Sequence, residues 1–197
     1  MIFDFPKQPI KRKHGPAGYA NYGAYKPWLR DDFTFRCGYC LHRETWSKDG
    51  WRDFVLDHFL PQTDRDDLIC DYDNLYYVCH ACNAHKSDRR LPVEPTKQAY
   101  GSFIQFKANG EVAALNPTGE KLIKVLQLDD ATRTDFRSKL IDLWERASQE
   151  TRMKWFGFPN DLPNLTRLRP PDGNSKPEGL ARTCHRKKRE GQLPETY

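Results

Sequence analysis

Long hydrophobic runs are missing from this sequence. No stretch approaches the ~18 consecutive apolar residues of a membrane span. Near the start, Lys7, Lys11, Arg12, Lys13 and His14 alternate with Pro6 and Pro9, which leaves no apolar segment for export. These absences argue against a membrane protein and lead us to expect a cytoplasmic one. Apolar residues are also scarce, at 38% against the usual ~45–50%, whereas charged residues reach 30%. The 197 residues suffice for one ordinary domain with appendages, since a chain of that size buries roughly 70% of its unfolded surface. No internal repeat is present.

What the sequence does have is an uneven charge. The net charge of +5 conceals an acidic centre: Asp31 to Glu94 holds 8 basic against 13 acidic residues, leaving 24 against 14 elsewhere. The excess of cations lies in Lys7 to Arg30 and in the run Arg182, Arg186, Lys187, Lys188, Arg189. An acidic centre between basic flanks suits a site that holds a divalent cation while its surroundings hold a polyanion. Charge alone fits solubility equally well.

The chain divides into four stretches. Residues 1–30, rich in Gly, Pro, Tyr and Lys, read as a basic arm that orders on contact, with Pro27 opening a short helix through Trp28, Leu29 and Phe33. In residues 31–94, Arg52 to His58 alternates as a strand, with Phe54, Leu56 and His58 on one face and Asp53, Val55 and Asp57 on the other. Leu75 to Val78 predicts a second strand, Pro61 to Asn74 a polar loop, and Asn83 to Arg90 a helix stopped by Pro92. Residues 95–157 predict a hairpin (Phe103–Phe106, a turn at Asn109-Gly110, Val112–Leu115), a helix from Thr118 to about Leu126 and another from about Asp130 to Trp155. Residues 158–197, with Pro159, Pro163, Pro170, Pro171 and Pro177, read as an extended, partly disordered basic tail.

Six cysteines in a reducing compartment point to metal before disulfides. Cys37-x-x-Cys40 and Cys79-x-x-Cys82 supply four thiolates in the pairing that tetrahedral zinc requires. Their separation exceeds that of a simple zinc ribbon, so a larger unit is folded between the halves. Four sulfurs fill the coordination sphere, which makes such a metal structural. Cys70 and Cys184 remain as free thiols, and His42 and His80 read as surface residues near the cluster.

Between the cysteine pairs stand Asp57-His58-x-x-Pro61 and Asn74, followed by Asn83 and Lys86. A strand ending at Asp57 and a helix beginning near Asn83 would bring a carboxylate and an amide oxygen together, as a hard cation such as Mg²⁺ prefers. His58, pointing to the opposite side, is left free of that metal, and a neutral imidazole suits proton abstraction from water.

As a set, Cys37-x-x-Cys40, Asp57-His58-x-x-Pro61, Asn74 and Cys79-x-x-Cys82-Asn83-x-x-Lys86 resemble the HNH endonuclease family, over about fifty residues. The resemblance implies an α+β fold. Its core is a ββα-metal motif closed by a four-cysteine zinc site, with a hairpin-plus-helices C-terminal extension. It implies His58 as general base, Asp57 and Asn83 as ligands of a catalytic Mg²⁺ or Mn²⁺, and Asn74 as the brace of the loop that orients His58, an H-N-N variant in which His85 is the alternative to Asn83. The expected activity is metal-dependent hydrolysis of double-stranded DNA, with Lys86, Arg89 and Arg90 on flanking phosphates, in a bacterial defence or restriction setting that includes a defence protein as partner. The rival reading is a non-catalytic zinc module that binds nucleic acid or a protein.

Overall fold

The computed structural model describes residues 4–197 as an α+β chain with two β-hairpins. Helix α1 (Lys26–Asp32) has Pro27 in its first turn, where the missing N–H costs nothing, and buries Trp28 and Leu29. Strands β1 (Phe54–His58) and β2 (Leu75–Cys79) pair antiparallel, with Phe54 opposite Cys79 and His58 opposite Leu75. All five residues of β2 are buried, because α1 and helix α2 (His80–Lys86) both pack on it. The Phe54 and Tyr77 rings stack across the pair, centroids 4.9 Å apart. The helix predicted over 83–90 starts earlier, at His80, and ends at Lys86, where Ser87 takes a positive φ of 48°. The 61–74 segment is irregular apart from short 3-10 turns at Asp66–Leu68 and Tyr72–Asn74.

The second hairpin, β3 (Ile104–Phe106) with β4 (Val112–Ala114), turns through Asn109-Gly110. Gly110 has φ +83°, and a Cβ there would meet the backbone of Thr134 and Ser138 at 2.8 and 2.7 Å, so only glycine lets the turn approach the following helix. Helix α3 (Pro117–Leu126) is capped by Asn116 and buries Leu122, Ile123 and Leu126 at helical spacing. The single helix expected from Asp130 to Trp155 is two, α4 (Ala131–Arg146) and α5 (Gln149–Phe156). Ala147 leaves helical φ/ψ and Ser148 caps the N–H of Thr151, starting a new helix in a new direction.

The ends differ most from expectation. The arm lies against the core: Phe5 is buried and stacks on Phe106 at 4.3 Å, while Arg12 donates to the Leu75 carbonyl at 2.6 Å. Residues 158–197 are folded back rather than extended. Pro16 bridges Asn174, Asp161 accepts from Arg30 at 3.1 Å, and helix α6 (Cys184–Arg189) begins where the Cys184 N–H donates to Asp31 at 2.8 Å. Leu162, Leu165 and Cys184 are buried there, enough apolar anchoring to hold a proline-rich segment without regular structure. No helix among the described residues is long and apolar enough to cross a membrane.

Candidate functional site

Cys37 and Cys40 lie on a knuckle. The Leu41 N–H bonds back to the Cys37 carbonyl, the Tyr39 N–H points at the Cys37 sulfur (3.4 Å), and Gly38 N–H donates to the Tyr77 carbonyl of β2. Cys79 ends β2 and Cys82 sits in α2, so the second pair is carried by the strand-helix junction. The four sulfurs lie within 4.8 Å of one another in a buried cluster, the only group of three or more His, Cys, Asp or Glu among the described residues close enough to share an ion. Metal-sulfur bonds of about 2.3 Å put tetrahedral edges at about 3.8 Å, and Cys40 and Cys79 are 3.7 Å apart. Number, softness and spacing all fit a structural zinc ion.

Arg133 of α4 adds a contact that sequence reading missed: its guanidinium lies 3.0 Å from the Cys82 sulfur. Burial works against that charge, yet the neighbouring thiolates outweigh it and hold the Arg133 pKa above the ordinary range. The C-terminal extension is thus part of the metal centre's surroundings. His80 is exposed as expected, whereas His42 is half-buried beside Trp46 and Phe136 and bonds to Ser47.

Asp57 and His58 point to opposite sides of β1. The Asp57 carboxylate is buried, with Oδ2 accepting from the Tyr39 hydroxyl at 2.6 Å and Oδ1 from Lys86 Nζ at 3.1 Å. Burial pushes the Asp57 pKa above the usual carboxylate value, and the Lys86 charge and the Tyr39 hydrogen bond oppose that rise. Tyr39 belongs to the cysteine knuckle, so folding of the metal centre positions Asp57. Lys86, expected on a flanking phosphate, is instead 1% exposed, and its ammonium also donates to the His58 carbonyl at 2.7 Å. This lysine at the last turn of a short helix reaches inward to the buried Asp57 carboxylate rather than outward to solvent.

His58 has a defined orientation. Its Nε2 lies 2.9 Å from the Ile69 carbonyl, which can only accept, so Nε2 carries the hydrogen and Nδ1 is left as the proton acceptor. The Gln62 amide donates to Nδ1 at 2.9 Å, and the Tyr22 ring stands edge-on to the imidazole at 4.9 Å. These two covers leave the residue 7% exposed. Asn74 clamps the adjoining backbone from both sides, Oδ1 accepting from Leu60 N–H at 2.9 Å and Nδ2 donating to the Leu60 carbonyl at 3.1 Å.

Asn83 and His85 are half-buried on α2, and neither side chain hydrogen-bonds to any described residue. Arg89 folds onto the His85 and Val125 carbonyls, and Arg90 pairs with Asp64 at the surface. Asp57 and Asn83 share no hydrogen bond among the described residues, and the two Asp57 oxygens are engaged by Tyr39 and Lys86. Tyr39, Gln62 and Tyr22 carry no motif or spacing that marks them in the sequence. Comparison with known protein families, with curated proteins and with solved structures found no match for this chain.

Proposed function

We propose that the chain is an HNH-type, metal-dependent endonuclease that hydrolyses phosphodiester bonds of DNA. The observation that carries this reading is the imidazole of His58. Its Nε2 hydrogen is committed to Ile69, its Nδ1 lone pair faces only the exposed Gln62 amide among the described residues, and it sits at the end of a ββα unit that carries four clustered cysteines.

In this reading His58 Nδ1 takes a proton from a water that attacks phosphorus in line, and the bond from phosphorus to the leaving 3′ oxygen breaks. A divalent ion on Asp57 and Asn83 would supply charge stabilisation at the phosphoryl and leaving oxygens. Gln62, exposed and joined to Nδ1 by a single hydrogen bond, gives way to that water. Asn74 holds the Phe59-Leu60 backbone so that the imidazole keeps its direction. The Tyr39 and Lys86 contacts keep Asp57 in place between turnovers.

The experiment is plasmid nicking in Mg²⁺ or Mn²⁺ by the zinc-loaded protein and by His58→Ala. The parent nicks, and the variant loses nicking while retaining zinc and fold. An equally active His58→Ala overturns the assignment of the base. A second reading, a zinc module that binds nucleic acid without cutting it, is favoured by one specific observation: both Asp57 oxygens are engaged and His58 is covered by Tyr22 and Gln62. It requires salt-sensitive DNA binding with no cleavage under any divalent ion.

A further inference from the structure

A cleft of about 570 Å³ lies between the N-terminal arm, the Cys37 knuckle and the folded-back C-terminal segment. Lys11, Lys13, Arg36, Arg182 and Lys187 line it, against one acidic side chain, Asp32. That carboxylate is already spent: its oxygens accept from the Lys13 N–H at 2.7 Å and the Tyr72 hydroxyl at 2.8 Å. Lys13 is likewise committed, to Asp31 at 2.6 Å. The other four cations have no hydrogen-bond or ion-pair partner for their charged ends among the described residues.

Arg36 is the informative one. It is half-buried, and no carboxylate lies within ion-pair distance of its guanidinium among the described residues. Unpaired guanidinium groups away from solvent are expensive and are retained where an anion comes to meet them. A neighbouring cleft of about 660 Å³, which shares Ile10 and Lys11 with it, shows the contrast, since three carboxylates, Asp71, Asp73 and Glu94, line it beside Arg12, Lys97 and Lys176. The remaining walls of the basic cleft are apolar and aromatic, among them Phe33, Phe158 and Leu193. Its volume is that of a small-molecule site, which usually spans about 300–1,000 Å³.

We propose that this cleft binds a phosphate-bearing ligand of nucleotide size, its phosphates held by Arg36, Lys187, Arg182 and Lys11 and its base against the aromatic wall. None of these residues belongs to the Asp57, His58 and Asn83 set, so the site is separate from the proposed nuclease centre and stands or falls without it. The volume of the cleft matches a free nucleotide, whereas the backbone of a duplex would run beyond it.

The test is calorimetric titration of the full-length zinc-loaded protein with ATP, with inorganic pyrophosphate and with a short DNA duplex. ATP is expected to bind saturably, pyrophosphate more weakly, and Arg36→Gln to weaken ATP about tenfold or more. Because Arg36 adjoins Cys37, the double variant Arg182→Gln/Lys187→Gln, on the far wall, is measured beside it and is expected to show a similar loss with zinc content unchanged. His58→Ala is expected to bind ATP as the parent does. Absence of saturable binding of ATP and pyrophosphate at millimolar concentration overturns the proposal, as does equal binding by parent and double variant. Duplex binding that is lost in the double variant while ATP does not bind also overturns it, and makes the cleft part of a DNA track.

Discussion

Replacing Lys86 with methionine removes one charge and keeps most of the packed aliphatic stem. In the parent, the ammonium serves two acceptors, Asp57 Oδ1 at 3.1 Å and the His58 carbonyl at 2.7 Å, both in buried surroundings. Removing one partner of a buried ion pair leaves the other charge unpaired, at a cost of about 3–5 kcal/mol. With a urea m-value of about 2 kcal/mol/M, Lys86→Met should lower the unfolding midpoint by about 1.5–2.5 M. The cost should also depend on pH. Burial already raises the Asp57 pKa, and loss of Lys86 takes away the leading influence that lowers it. A carboxyl whose folded pKa lies above its unfolded value loses stability as pH rises between the two, so the deficit is largest at neutral pH and shrinks towards ~4. Adding Asp57→Asn should recover much of the loss. If Asp57 also holds a divalent cation, Mg²⁺ at 100 times its dissociation constant returns about 2.7 kcal/mol to Lys86→Met. The assay is urea denaturation of matched zinc-loaded samples at several pH values. A loss below about 1 kcal/mol, or one that grows on acidification, refutes the account of Lys86 as the buried countercharge.

Tyr39→Phe leaves Asp57 Oδ2 without its donor and should cost about 1–3 kcal/mol by the same assay. Arg133→Met should lower zinc affinity by about 10-fold to 100-fold in chelator competition, since the guanidinium faces the Cys82 sulfur from outside the ligand set. Tyr22→Ala should speed modification of His58 by diethylpyrocarbonate, read by mass spectrometry; an unchanged rate means Tyr22 does not cover the imidazole in solution. Asp31→Asn tests the junction of arm, α1 and tail. Burial works to raise the Asp31 pKa, but the His14 hydrogen bond and the Lys13 charge hold it at about 2. The parent's advantage over the variant, about 2 kcal/mol, is therefore full above pH ~4 and falls away as pH drops towards 2. An advantage that grows in acid contradicts the pairing.

Much of the central unit is written in short-range pattern. The two C-x-x-C pairs mark the metal cluster because knuckle geometry needs only two intervening residues, and the alternation through Phe54, Leu56 and His58 marks β1 because side chains on a strand alternate faces. Pro27 and the Asn109-Gly110 turn announce themselves by backbone restriction alone. Ser148 caps the break between α4 and α5, but the apolar spacing through Leu140 and Trp144 carries no mark of it, and periodicity does not register where one helix stops and the next starts.

Partner choice is another matter. Lys86 pairs with Asp57 across 29 positions, Tyr39 reaches Asp57 across 18, and Cys184 meets Asp31 across 153. Composition made residues 158–197 look unstructured because proline and charge argue against regular elements, yet a few anchors such as Leu165 and Cys184 hold the segment against α1. Residue identity decided which chemistries this chain can carry, since thiols, an imidazole and a carboxylate are local facts. Which of them face each other, which are covered, and which cations are left without a counterion depended on long-range packing. A buried charge takes whichever opposite charge the fold brings within reach, and no local window of sequence contains that choice.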